Sequence, residues 1–187
     1  MDQVRRLFPL VRRTARGVAV ALLCVYAASG DAHAQEATLE YRVKAAYIYN
    51  FTKYVEWPPA ALGSGPLTLC VAGRNPFGSV LFDIVRGEEV AGRPIAVRVL
   101  LEPEDGCHVI FVPQGAAAPA YLRASRMRPV LTIGEGADFI TQGGIISFIV
   151  EGGRVRFEID QEAADRVGLR VSSRLLRLAR TPEQPVR

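Results

Sequence analysis

The chain has 187 residues, 49% hydrophobic and 22% charged, with 17 Gly and 12 Pro. This excludes a disordered acidic or basic tail, a collagen-like rod and a repeat array, and leaves one domain large enough for a real core. The formal charge of +4 suggests nucleic acid, but five arginines and two aspartates in residues 1–34 supply +3 of it, so no basic patch for DNA or RNA is left in the remainder.

Residues 1–34 read as an export address. Arg5, Arg6, Arg12, Arg13 and Arg16 precede an apolar run, Gly17 to Ala28, and Ala32-His33-Ala34 supplies an A-x-A cleavage site. The run is shorter than the ~20 residues of a stable span. Cleavage after Ala34 is expected, giving a periplasmic protein; the alternative is an uncleaved anchor. Arg5-Arg6-Leu7-Phe8 matches a twin-arginine signal only in part. Cys24 follows Leu22-Leu23 rather than a small residue, which disfavours lipid attachment. Cys70 and Cys107 then remain, and an even pair in an oxidising compartment reads as a disulfide. The chain-entropy rule gives such a loop closure about 4 kcal/mol as an upper guide. Two buried free thiols are the alternative. No CxxC occurs, and His108 is the one His after the cleavage site, so no metal site is expected.

The first element of the mature chain is a long helix from Glu36 to Trp57. Tyr41, Ala45, Ile48, Thr52 and Val55 fall at helical spacing, with Tyr47 and Phe51 beside them, and Pro58-Pro59 ends it. Strands follow at Pro66–Val71, Ile95–Leu101, Cys107–Val112 and Pro129–Ile133, with helices at Ser79–Val85 and Ala117–Met127 between them. Ile95, Val97, Val99 and Leu101 alternate along the second of these strands. Glu151-Gly152-Gly153 joins Gly144–Val150 to Arg154–Ile159 as a hairpin. Asp160 caps a short helix stopped by Gly168, and Ser172 or Ser173 caps a last helix to about Arg180. Residues 181–187 read as a disordered tail. Apolar strands alternating with helices predict a single-domain α/β layered fold over 35–180. Its sheet is mostly parallel with a C-terminal antiparallel hairpin, and helices lie on both faces.

Familiar catalytic patterns are missing. GRNPFG (73–78) lacks the Lys and Ser/Thr of a phosphate loop, and Gly134-Glu135-Gly136 lacks the third Gly of a dinucleotide turn. There is no G-x-S-x-G or S-x-x-K. His108 lies in an apolar strand, where a satisfied structural His is the plainer reading. Glu88-Glu89 and Glu104-Asp105 sit among turn residues, where solvated surface is the default. These patterns favour a binding protein over an enzyme.

The run from Tyr41 to Pro58 (YRVKAAYIYNFTKYVEWP) resembles the YfiR-like family of periplasmic proteins. Further matching segments are Asn75-Pro76-Phe77-Gly78, Gly92-Arg93-Pro94, Cys107–Val112, Gly143–Asp160 and Gly168–Ala179. The resemblance implies an α/β fold and no catalytic activity, and no cofactor is expected. It also implies repression of an inner-membrane diguanylate cyclase through that enzyme's periplasmic region, which limits cyclic di-GMP and biofilm formation. An outer-membrane peptidoglycan-associated lipoprotein would sequester the repressor, and a homodimer is expected. Family members often carry a second Cys pair near the late hairpin. Here residues such as Ile146, Ser147 and Gly152 stand there, so a redox switch built on that bond is not expected, and Cys70–Cys107 is the matching bond. The alternative function is a small-molecule-binding periplasmic domain serving a transporter or sensor kinase.

The partner surface is expected around the hairpin and the two short helices after it, with Glu158, Leu169, Val171 and Leu176 as candidates. Glu158 lies on the polar side of its strand. Leu169 follows the chain turn at Gly168, and Leu176 falls off the stripe of Val171, Leu175, Leu178 and Ala179. Arg170, Arg174 and Arg177 would rim this patch. The competing reading puts Leu169 and Val171 in the core.

Overall fold

The computed structural model describes residues 39–180; the expected signal peptide and the 181–187 tail lie outside the described residues. Residues 39–54 form α1, which lays Ala45, Ile48, Phe51 and Thr52 against the sheet. The aromatic residues beside this stripe deepen the contact. Phe51 stacks on Phe148 at 5.7 Å and meets Phe157 edge-on at 4.9 Å. Phe51 is fully buried and Trp57 nearly so, whereas Tyr47 is half-buried against the core.

The remaining elements follow in chain order. These are β1 (Val55–Glu56), α2 (Pro59–Leu62), β2 (Leu67–Ala72), α3 (Val80–Val85), β3 (Glu89–Val90), β4 (Arg93–Leu100), β5 (Val109–Val112) and α4 (Ala118–Ser125). After them come β6 (Leu131–Glu135), α5 (Asp138–Thr141), β7 (Ile146–Glu151), β8 (Arg154–Ile159), α6 (Gln161–Arg166), β9 (Arg170–Val171) and α7 (Ser173–Leu176). Seven strands form one sheet in the order β3-β4-β2-β5-β6-β7-β8. The five inner strands are parallel, and β3 and β8 close the two edges antiparallel. The expected α/β architecture is thus observed.

The order also shows the winding. From β2 the chain steps one way to β4 through α3, on the α1 face. From β5 it steps the other way through β6 to β7, with α4 and α5 on the opposite face. Helices cover both faces because right-handed crossovers started in opposite directions must lie on opposite sides. The core accordingly has two parts. The larger lies under α1 and α3. The smaller gathers Cys70, Ala72, Leu100, Ile110, Tyr121, Leu122 and Phe139.

The step from β4 to β5 has no helix. Its connection crosses the smaller core and is held by Cys107, which is bonded to Cys70 of β2 with a Cα–Cα distance of 5.9 Å. His108 N donates to Thr68 O at 2.9 Å, Arg98 pairs with Glu104 at 2.5 Å, and Arg128 pairs with Asp105. The disulfide therefore fastens a connection with few apolar groups of its own to bury.

The local punctuation acts as read. Gly152 and Gly153, at φ 55° and 70°, make the two-residue hairpin turn between Glu151 and Arg154. Asp160 accepts from Ala163 N at 2.9 Å, and Ser172 accepts from Arg174 N at 3.3 Å.

Several element bounds shift by a residue or more, and three differences have a plain physical cause. The first helix stops at residue 54, short of Pro58, because Val55 and Glu56 pair with Val171 and Arg170 and Ser172 N donates to Tyr54 O. The last helix stops at Leu176 rather than near Arg180, since Arg180 N donates to Phe157 O and the chain runs beside β8. On β4, Ile95 and Val97 pack against the core, but Val99 is exposed, as is Leu101 just beyond the strand's end. At that end α4 covers the other face, where Leu100 is buried and its carbonyl accepts from the Tyr121 hydroxyl at 3.1 Å, and β3 pairs only with Arg93 and Pro94.

Candidate functional site

In doubly wound sheets a ligand sits at the carboxyl ends of the strands, where the winding reverses. Here that point lies beyond β2 and β5, and α1 fills it. Lys44 Nζ lies 2.5 Å from Glu135 Oε1, with both side chains about nineteen-twentieths buried. The other carboxylate oxygen accepts from Gln114 N at 2.5 Å and from the Tyr41 hydroxyl at 3.3 Å. Tyr41 also meets Phe77 of the GRNPFG turn edge-on at 5.6 Å. That turn is shaped by Asn75, which accepts from Phe77 N and donates to Gly78 O, rather than by a bound phosphate. The ion pair thus ties helix, turn and strand end together where a nucleotide would otherwise lie. Nothing in the spacing of Lys44 and Glu135 announced it, since they are far apart in the chain and each alone reads as surface.

His108 is engaged as a structural group. Its Nδ1 accepts from Thr68 N at 2.9 Å, and its carbonyl accepts from Trp57 Nε1 at 3.2 Å. Burial lowers its pKa below the usual histidine value and the Arg93 cation lowers it further, against a backbone hydrogen bond with Ala61 that raises it. Among the described residues no three His, Cys, Asp or Glu side chains gather in a metal-binding group. Every buried side-chain nitrogen or oxygen among them has a hydrogen-bond partner.

The sequence-derived partner residues separate into two pairs. Glu158, expected to project to solvent, is 7% exposed. It stands opposite the fully buried Ser147, and the returning chain places Arg180 Nη1 4.0 Å from its carboxylate. Leu169, expected to turn outward after Gly168, is fully buried. Gly168, at φ 77°, ends α6 in a Schellman motif. Its N–H donates to Asp165 O at 3.0 Å, and Leu169 N donates to Ala164 O at 3.0 Å. In this motif the residue after the glycine folds back onto the helix, so an apolar side chain there goes into the core. Val171 and Leu176 are half-buried and lean on the core. Leu178, placed on the inward stripe, is 72% exposed instead, because the helix has already ended.

What this region does present is a polar and aromatic strip. Glu56 and Arg170 are exposed cross-strand partners in the small β1–β9 sheet, with Tyr54 at its end. Arg174, Arg177 and Leu178 follow on and after α7. The expected helix from Glu36 to Trp57 ran through Tyr54 and Glu56, so neither stood out as a surface residue.

The domain is thus a doubly wound α/β fold whose switch point is closed by the buried Lys44–Glu135 pair. The family model described as YfiR/HmsC-like matches residues 41–180, and the chain belongs to that family, which is regulatory rather than catalytic. The match runs from the start of the core-facing part of α1 to Arg180 and takes in the whole sheet. No helix among the described residues is long and apolar enough to cross a membrane.

Proposed function

We propose that this protein is a periplasmic repressor of an inner-membrane diguanylate cyclase. After export and cleavage behind Ala34, it holds the cyclase inactive by binding its periplasmic region, and so limits cyclic di-GMP and biofilm formation. An outer-membrane peptidoglycan-associated lipoprotein withdraws the repressor, which works as a homodimer. The observation that carries this reading is the family match over residues 41–180.

The contact face is the strip formed by β1, β9 and α7. Tyr54, Arg170, Arg174 and Leu178 are exposed on it, and Val171 and Leu176 form its half-buried floor. Glu158 and Leu169 act from behind as support. An aromatic ring, several arginines and one exposed leucine are the composition expected of such a contact. The test is a gene deletion complemented by wild type or by the double variant Arg174→Glu/Leu178→Asp, with cellular cyclic di-GMP as readout. Deletion should raise the level and wild type should restore it; the variant should be exported and folded yet fail to restore it. An unchanged level on deletion would overturn the cyclase reading. Full repression by the variant would move the contact face elsewhere.

A further inference from the structure

We propose a binding site for an organic anion with an apolar body in the cleft at the amino ends of β6 and β7. The cleft has a volume of about 530 Å³, within the range of small-molecule sites. Its floor is apolar and comes from three elements: Leu122 of α4, Val130 before β6, and Ile145 before β7. Its rim carries Arg123, Arg126 and Arg166, and no carboxylate side chain lines it. This site is separate from the partner strip and does not depend on the repressor reading.

Charge and shape together fix the ligand class. Among the described residues neither Arg123 nor Arg126 has an ion-pair partner, and Arg166 Nη2 reaches Asp160 Oδ2 only at 3.6 Å. Arg128, a short way along the same segment, is by contrast held by both Asp105 and Ala124 O. Three solvent-facing guanidinium groups around an apolar floor offer forked N–H donors that a carboxylate or phosphate head would engage through paired N–H···O bonds. An apolar body behind the head would displace water from the floor. A neutral ligand would leave the cations unmatched, and an inorganic anion would leave the floor wet.

A second observation points to the same place. Met127, also in the lining, is one of two non-glycine residues among those described with positive φ, at 61°, and its side chain is 83% exposed. The Ser125–Arg128 turn, closed by Arg128 N donating to Ser125 O at 3.2 Å, sets that backbone and leaves a large apolar side chain open to water beside the cleft. Over a bound ligand it would close on the apolar body.

Calorimetric titration of the purified protein with sodium decanoate, decanol and inorganic phosphate tests this. Decanoate should bind saturably with one site per chain, and decanol and phosphate at least tenfold more weakly. The double variant Arg123→Gln/Arg126→Gln should bind decanoate at least tenfold more weakly than wild type. Met127→Asp should do the same by putting a carboxylate at the mouth, and Asp tolerates the left-handed backbone, so the fold is kept. Absence of saturable decanoate binding overturns the proposal. So does decanol binding as tightly as decanoate, or an unchanged decanoate affinity in either folded variant.

Discussion

At the residue scale, His108 shows how a group with catalytic potential is turned to structural use. The lone pair on Nδ1 that would take a proton is already occupied by Thr68 N–H. Its lowered pKa means that the unfolded chain binds the proton more readily than the folded one. The His108 contribution is therefore fully present above the ordinary histidine pKa near 6.5, and is lost as pH falls from there toward the lower folded value. Unfolding midpoints in denaturant should rise with pH across that window for wild type, and this slope should shrink in His108→Gln. An equal slope in both would assign the pH dependence to other groups. The strand around His108 and its structural role were legible in the sequence, because an isolated His in an apolar run has little room for chemistry. Leu169 was not, because a glycine stop was read as a turn outward. The two N–H bonds that follow Gly168 determine the direction, and they send the next side chain back onto α6.

At the element scale, the crossover from β6 to β7 is set by one ring. Phe139 of α5 lies between Gly134 and Gly144, so close that a Cβ on either would fall 2.2–2.3 Å from the ring. Gly134 is thus required for contact between α5 and the sheet rather than for any bound cofactor. Gly134→Ala should displace Phe139 from the smaller core and destabilise the protein by about 1–3 kcal/mol, the usual cost of overpacking. Thermal unfolding would check this, and an unaltered midpoint would mean that α5 can shift freely. Long periodic elements were readable: α1, β2, α3, β5 and the hairpin were all placed from apolar spacing and turn residues. The two-residue strands β1, β3 and β9 were not, because they carry too few positions for a period. They exist through pairing with distant residues, and the β1–β9 pairing is what cut α1 short and put Tyr54 and Glu56 on the surface.

At the scale of the whole molecule, the sheet has helices wherever a crossover is long enough to supply one, and a disulfide where it is not. Replacing Cys70 and Cys107 together by Ala should lower stability by up to about 4 kcal/mol. The loss should be seen as an earlier denaturant midpoint, reproduced in wild type by a reductant. Equal midpoints in the bonded and bond-free proteins would show that Arg98, Arg128 and the His108 backbone hold the connection unaided. The α/β class and its winding could be anticipated, because alternation of apolar strands and helices is a whole-chain signal. The closure of the switch point could not, because it depends on which surface-type residues the finished fold brings together.

That closure ties two distant positions to a common history. Changing Lys44 or Glu135 alone removes the ion pair while the other charge stays buried, a loss of up to about 3–5 kcal/mol for pairs of this kind. That is a large share of the 5–15 kcal/mol by which domains are stable. Replacing both with well-packed apolar residues can be neutral or even stabilising. A lineage carrying this fold can therefore keep the pair or exchange it as a unit, while the single-step intermediates between those two end points are selected against.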